Sequence, residues 1–426
     1  MMGTRTHGRF GGPFWRRVRL VLIALGAALA LTACADEHPL DTLAEAGPDA
    51  QEINDLFFPV LGVAIVVFFL VQGAIVYLAM RYRVRRKAEA ARARSDDPDG
   101  DDLYGDDEYP EQVHGNLRLE LAWTIIPTIL LAVISVFTLI SLVELNEVTA
   151  AEDDLRVTVV GQQWWWEFQY HLDGDTSTPP DIVTANELVM PARQQVPLEI
   201  TSRDVIHSFW IPRLNGKRDA VPGRNHPWII EADEAGRYMG QCTEFCGLSH
   251  AYMRMYAVVL EPAEWETWVQ GQLVDAAPLE PGEPGYEGQE VFLANCANCH
   301  VVNGVTDVNL DGVVDRTADY ADVMPRTNDP LTSALVAGAA PNLTHLASRT
   351  TFAGSIFDLY DGRAERIPYL EVADRGDLNR GDLEAWIRNA PERKANDADG
   401  ARGMTAFPGL TEGEIDALVE YLMTLR

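Results

Sequence analysis

The chain is 426 residues long, 47% hydrophobic, and carries a formal net charge of -30. That length gives room for two or three domains, and so acidic a balance excludes a nucleic-acid-binding role and favours a basic partner or none. The five cysteines can each be given a specific use below, so no thiol is left for a structural disulfide.

In chain order, Arg5 to Arg19 are basic, Leu20 to Leu31 are apolar, and Leu31-Thr32-Ala33-Cys34 closes the segment. This is the plan of a secretory signal over residues 1–33 ending in a lipoprotein cleavage box. The mature protein is then expected to begin at a lipidated Cys34; the alternatives are a signal cut elsewhere or a further membrane helix, for which the apolar run is short. Leu56 to Met80 and Leu121 to Val143 are apolar and long enough to cross a bilayer, so residues 34–150 are expected to form a transmembrane hairpin. The basic Arg81-Tyr82-Arg83-Val84-Arg85-Arg86-Lys87 puts the loop between them in the cytoplasm, and everything after Leu145 outside. The acidic stretch from Asp96 to Glu111 reads as a solvated loop.

Residues 151–273 turn to short β-rich runs (Arg156 to Val160, Gln195 to Thr201, Trp228 to Ala232, Met255 to Leu260) separated by turn residues, as in a small β-sandwich. Trp164-Trp165-Trp166 cannot all face one side of a strand, so at least one is expected to point outward unless both faces are covered. Within this region Gln241 to Met253 concentrates Cys242, Cys246, His250 and Met253, with His207 upstream. Soft sulfur combined with imidazole suits copper in an electron-transfer centre. Two thiolates can bridge a copper pair, each ion taking one imidazole, with Met253 and a backbone carbonyl as weaker ligands. A disulfide would leave His207, His250 and Met253 without a purpose, and zinc has no use for a methionine.

Val274 to Gly288 is rich in Pro, Gly and Glu and reads as a linker (274–287) to a last, all-α domain (288–426). Cys296-Ala297-Asn298-Cys299-His300 is the c-type heme attachment pattern, with two thioethers and a proximal histidine. Export, Phe292 one turn earlier, a methionine far downstream and a C-terminal helix all support it. That helix starts at Thr411 with a capping box to Glu414 and places Ile415, Leu418, Val419 and Leu422 on one face, to pack across the heme-bearing helix. Asp307 to Asp315 reproduces the first nine positions of an EF-hand-like calcium loop, but Ala318 stands at the twelfth, where Glu is expected. The plainer reading is an acidic, solvated insertion.

The copper loop resembles that of the binuclear CuA centre in subunit II of heme-copper cytochrome c oxidases. The match extends through Lys217-Arg218-Asp219-Ala220-Val221-Pro222-Gly223-Arg224 and Gly161-Gln162-Gln163-Trp164-Trp165-Trp166. The resemblance implies a cupredoxin-like fold and copper ligation by His207, Cys242, Cys246, His250, Met253 and the Glu244 carbonyl. It implies that the Glu244 carboxylate helps hold magnesium at the contact with subunit I, and that Trp164 accepts electrons for the copper. Glu120, in Glu120-Leu121-Ala122-Trp123-Thr124, resembles the glutamate at the cytoplasmic mouth of a proton path; the alternative is an interfacial carboxylate that ends the helix. Gly403-Met404-Thr405-Ala406-Phe407-Pro408 resembles the loop that supplies the distal ligand in small cytochromes c, so Met404 is expected there, with Met324 as rival. Pro341 to Leu346 and Ser348 to Thr351 resemble cytochrome domains fused to certain subunits II.

The expectation is therefore subunit II of a proton-pumping oxidase in a bacterial plasma membrane. It would partner subunits I and III and membrane lipid, take electrons from cytochrome c or a reductase, and leave oxygen chemistry to subunit I. A nitrous-oxide-reductase-type copper protein and a free-standing tethered carrier are the alternatives. A quinol-oxidising relative is disfavoured because the copper ligands are intact.

Overall fold

The computed structural model describes residues 39–81, 115–146, 150–151, 154–306, 340–361, 377–396 and 402–426, with five positions between 20 and 26. Cys34, the stretches 82–87 and 96–111, Asp307 to Asp315 and Met324 lie outside the described residues.

Two long helices come first, α1 (Pro48–Arg81) and α2 (Leu117–Glu144). Both are apolar enough to cross a membrane and leave large side chains such as Phe68, Phe69, Leu70, Ile126 and Phe137 exposed, as lipid-facing segments do. At about 1.5 Å per residue, α1 is longer than the roughly 30 Å hydrocarbon core requires. Its first two turns instead dock on the β-domain: Ala50 and Asn54 are buried, and Asn215 Nδ2 donates to Asp49 Oδ2 at 3.0 Å. These turns are polar, which is why hydropathy alone starts the helix near Leu56. Ser141 Oγ donates to Glu52 Oε1 at 2.5 Å and ties α2 to α1.

The β-domain is a two-sheet sandwich. Strands β1 (Arg156–Gln162), β2 (Trp165–His171), β3 (Ile182–Ala185), β5 (Val196–Ser202) and β8 (His226–Ile230) form one sheet in the order β3-β2-β1-β5-β8. Strands β4 (Glu187–Pro191), β9 (Gly236–Gln241) and β10 (Arg254–Leu260) form the other in the order β4-β10-β9, and β6 (His207–Phe209) pairs with β7 (Arg218–Ala220) beside them. The β1–β5 and β4–β10 pairs are parallel, the mixed connectivity of a cupredoxin-like sandwich. The sheets enclose Val157, Val159, Phe168, Leu188, Leu198 and Ile200. Helix α3 (Pro262–Gln272) covers one end, with Trp265 stacked on Trp268 and both beside Tyr170.

The C-terminal region holds α4 (Tyr286–Asn295), α5 (Arg380–Arg393) and α6 (Glu412–Leu422), with a short hairpin of β11 (Thr351–Phe352) and β12 (Phe357–Asp358). The expected capping box between Thr411 and Glu414 opens α6, and its buried face includes the four apolar residues named above. Helix α6 crosses α4 so closely that a Cβ at Gly288 would run into the Ala417 carbonyl. The segment read as a linker carries no helix or strand before α4, yet it is tied down. Gln289 exchanges hydrogen bonds with the backbone of Leu279, and Ala276 N donates to Asn303 O at 3.0 Å.

Candidate metal centre

The copper-type donors converge at one end of the sandwich. His207 opens β6, Cys242 follows β9 directly, and the loop from Thr243 to Met253 returns to β10 through a single 3-10 turn at His250–Tyr252. Backbone bonds pin that loop at both ends, Cys242 N to Met253 O and Thr243 N to Ser208 O, each 3.0 Å. Cys242 Sγ and Cys246 Sγ lie 3.9 Å apart as free thiols, so the pair is not a disulfide. Around them stand His207 Nδ1, 4.0 Å from Cys242 Sγ; His250 Nδ1, 3.5 Å from Cys246 Sγ; Met253 Sδ, 3.8 Å from Cys246 Sγ; and the Glu244 carbonyl, 3.3 Å from Cys242 Sγ. All six expected donors are brought together. The Glu244 side chain and Phe245 point out into solvent from the same loop.

Three residues that the sequence reading did not single out prepare this cluster. Asp204 Oδ1 accepts from His207 Nε2 at 2.8 Å, which fixes the tautomer and turns Nδ1 toward the sulfurs. Burial pushes the His207 pKa down, but the bonds to Asp204 and Cys242 outweigh it and the pKa is raised overall. Gly161 backs the ring, since a Cβ there would stand 2.8 Å from His207 Cδ2. Gln163 Nε2 and Trp164 Nε1 both donate to Cys246 O, at 2.7 and 3.0 Å. Hydrogen bonding with the Cys246 thiol, then with His207 and the backbone at Ser208 and Glu244, lowers the Cys242 thiol below its ordinary range despite burial. An acidic residue three before the histidine was the available signal for Asp204.

For the three tryptophans the alternative holds, with both faces covered. Trp164 precedes β2, and Trp164, Trp165 and Trp166 are only 2%, 8% and 0% exposed. No outward-facing indole results: the Trp164 ring lies against Gly247 and its Nε1 donates to Cys246 O. Trp166 lies edge-on to His207 and Phe209.

In the C-terminal region Cys296 and Cys299 end α4 and are free thiols, Cys296 buried and Cys299 half-buried. Burial pushes Cys296 up to about 11. His300 Nδ1 donates to Pro341 O at 2.8 Å, which leaves the Nε2 lone pair free to act as a donor. Burial lowers the His300 pKa and so favours the neutral, ligating imidazole. Met404 is half-buried, with its carbonyl held by Asn396 Nδ2 at 3.2 Å. Glu120 is exposed and accepts from Asn116 N at 3.1 Å, closing the cap of α2.

A two-helix anchor, a cupredoxin-like sandwich and a buried sulfur–nitrogen cluster define a class: membrane-tethered proteins built around a soft-metal centre. Residues 155–261 match the family described as cytochrome c oxidase subunit II, periplasmic domain, and residues 104–140 match its transmembrane domain. Cytochrome c oxidase subunit 2 of Alkalihalophilus pseudofirmus is 31% identical over 97% of this chain and 98% of its own length. That of Bacillus subtilis is 28% identical over 96% and 98%. Among solved structures, the periplasmic domain of subunit II of the Bradyrhizobium japonicum cytochrome oxidase is 29% identical, covering 29% of this chain and 95% of that one, with a TM-score of 0.26.

The chain belongs to the cytochrome c oxidase subunit II family. It is an electron-delivering subunit of an oxidase complex, anchored by two membrane spans, and its sandwich is the family's CuA-type copper domain. Membership decides against the free-standing carrier and the nitrous-oxide-reductase-type readings.

Proposed function

We propose that His207, Cys242, Cys246, His250, Met253 and the Glu244 carbonyl hold a copper pair, and that the C-terminal region carries a heme attached through Cys296 and Cys299. The convergence of five soft and borderline donors and one carbonyl oxygen, each within 4.0 Å of a cysteine sulfur, carries this reading. His300 and Met404 would hold the heme iron. When bound, the two groups supply one-electron chemistry, passing electrons from heme c to copper and on to subunit I, where oxygen is reduced.

The chain's own residues do the rest. Asp204 and Gly161 hold the His207 ring, Gln163 and Trp164 hold the Cys246 carbonyl, and the closely packed sandwich end keeps water from the thiolates. Trp164 is the residue through which electrons reach the copper. The exposed Glu244 carboxylate is suited to share magnesium with subunit I, and the adjacent exposed Phe245 and Leu248 suit burial against that subunit. Glu120 marks the mouth of a proton path on the cytoplasmic side. Both soluble regions stand on the extracytoplasmic side with Cys34 lipidated, subunit III is a further partner, and the donor is cytochrome c or a reductase. Calcium at Asp307 to Asp315 stays the lesser reading.

Metal analysis and heme staining of the purified protein test the assignment. Copper together with a heme that survives denaturation is expected. Copper retained in full by Cys242→Ser, or no covalent heme in the unaltered chain, would contradict it.

A further inference from the structure

The C-terminal region and the sandwich are joined by two buried polar groups that point in opposite directions. Glu187, at the start of β4, is only 1% exposed. Its Oε1 lies within hydrogen-bond distance of four donors across the junction: Thr350 N at 3.0 Å, Thr350 Oγ1 at 2.7 Å, and Thr351 N and Oγ1 at 2.8 Å each. Lys394, just after α5, is 8% exposed, and its Nζ donates to Trp164 O at 2.6 Å and Ala353 O at 3.0 Å. Burial pulls the Lys394 ammonium down to about 7, and either protonation state still supplies the donors that two carbonyls need.

Between these groups the chain turns through Ala353, Gly354 and Ser355, all left-handed at φ 57, 81 and 56. A Cβ at Gly354 would strike Lys394 Nζ and come within 2.9 Å of the Tyr252 carbonyl. Gly354 O accepts from Arg254 N at 3.2 Å, and Ser355 Oγ donates to Asn186 O at 3.2 Å. Three consecutive left-handed residues, two of them not glycine, persist only where the surroundings over-determine them. Here the surroundings are the other domain. The four donors to Glu187 Oε1 lie across the junction, and of the two Lys394 acceptors Trp164 O does, so separating the regions takes those four from Glu187 and leaves Lys394 with Ala353 O.

We propose that Glu187 and Lys394 are positioning residues for electron delivery, forming a reciprocal latch that seats the C-terminal region on Trp164 and fixes its distance from the copper loop. The Lys394 bond meets Trp164 O, and the indole of the same residue donates to Cys246 O. One residue therefore joins the C-terminal region to a copper-ligand loop. With that face covered, a separate carrier meets the C-terminal region first.

The rate arm of the test rests on the heme reading above, whereas the docking arm does not. In the purified complex, Glu187→Ala and Lys394→Met are compared with the parent by hydrogen–deuterium exchange at 350–355 and by heme-to-copper transfer after photoreduction. Exchange should speed up by about tenfold or more. Transfer should slow severalfold, because electron transfer falls steeply as the donor–acceptor distance grows, with the copper and heme spectra unchanged. Should Glu187→Ala fail to fold, Thr351→Val removes one hydroxyl only and is judged on the same readings. Unchanged exchange in both variants overturns the latch; faster exchange with unchanged transfer overturns the positioning role. A heme stain reports separately on the heme reading, and exchange still judges the latch if the stain is negative.

Discussion

The donor atoms of the sandwich come from strand β6 and one loop at one end of a core of thirty-two buried side chains, whereas Cys296, Cys299 and His300 lie at and just beyond the end of one ten-residue helix over a core of fourteen, among the described residues. The two regions teach different lessons about holding a redox group. A copper pair bound by coordination alone needs its ligands aimed by the framework, and Asp204, Gly161 and Gln163 do the aiming. The proposed heme c would be tied by covalent bonds, so its small region could be fixed by the group itself and by docking on a larger neighbour. The C-terminal region would then depend on its heme for stability far more than the sandwich depends on copper.

The sharpest way to break this comparison is to remove each group in turn. Cys242→Ser should abolish the copper signal while covalent heme remains at parent level, read by metal analysis and a heme stain. The reverse experiment, Cys296→Ala with Cys299→Ala, should eliminate covalent heme and leave 286–426 sensitive to a protease that still spares 155–261. Equal sensitivity of both regions would erase the distinction. Asp204→Ala should weaken copper affinity by about 10–100-fold, the usual cost of losing the partner of a ligating imidazole, and chelator competition measures it. The smallest effect expected is for Met404→Ala, which should keep the heme attached and lower its potential, since a thioether ligand raises it. A redox titration in which Met324→Ala does this and Met404→Ala does not would reassign the ligand.

Much of this was legible in the chain. The spacing of Cys242, Cys246, His250 and Met253 names a cluster because one loop can carry them all, and the Thr411–Glu414 box names a helix start because capping is local. Strands β1, β5, β8 and β10 fall within about two residues of their expected limits, inside the usual scatter of boundaries. What stayed hidden depends on contacts between residues far apart in sequence. One of Trp164, Trp165 and Trp166 is expected to face outward unless both faces are covered; all three are buried, and Trp164 O meets Lys394, 230 positions downstream. Glu187 went unremarked in the sequence because its partners Thr350 and Thr351 lie 163 and 164 positions downstream. The first turns of α1 are polar and resemble a loop because their partner, Asn215, belongs to the sandwich.

The central claim is that one subunit carries both redox centres within an oxidase. A visible and near-infrared spectrum of the purified complex, recorded oxidised and then reduced, tests it most directly. The account predicts heme c and heme a bands together with a near-infrared mixed-valence copper band that disappears on reduction. A complex with heme a but neither the copper band nor heme c would contradict it.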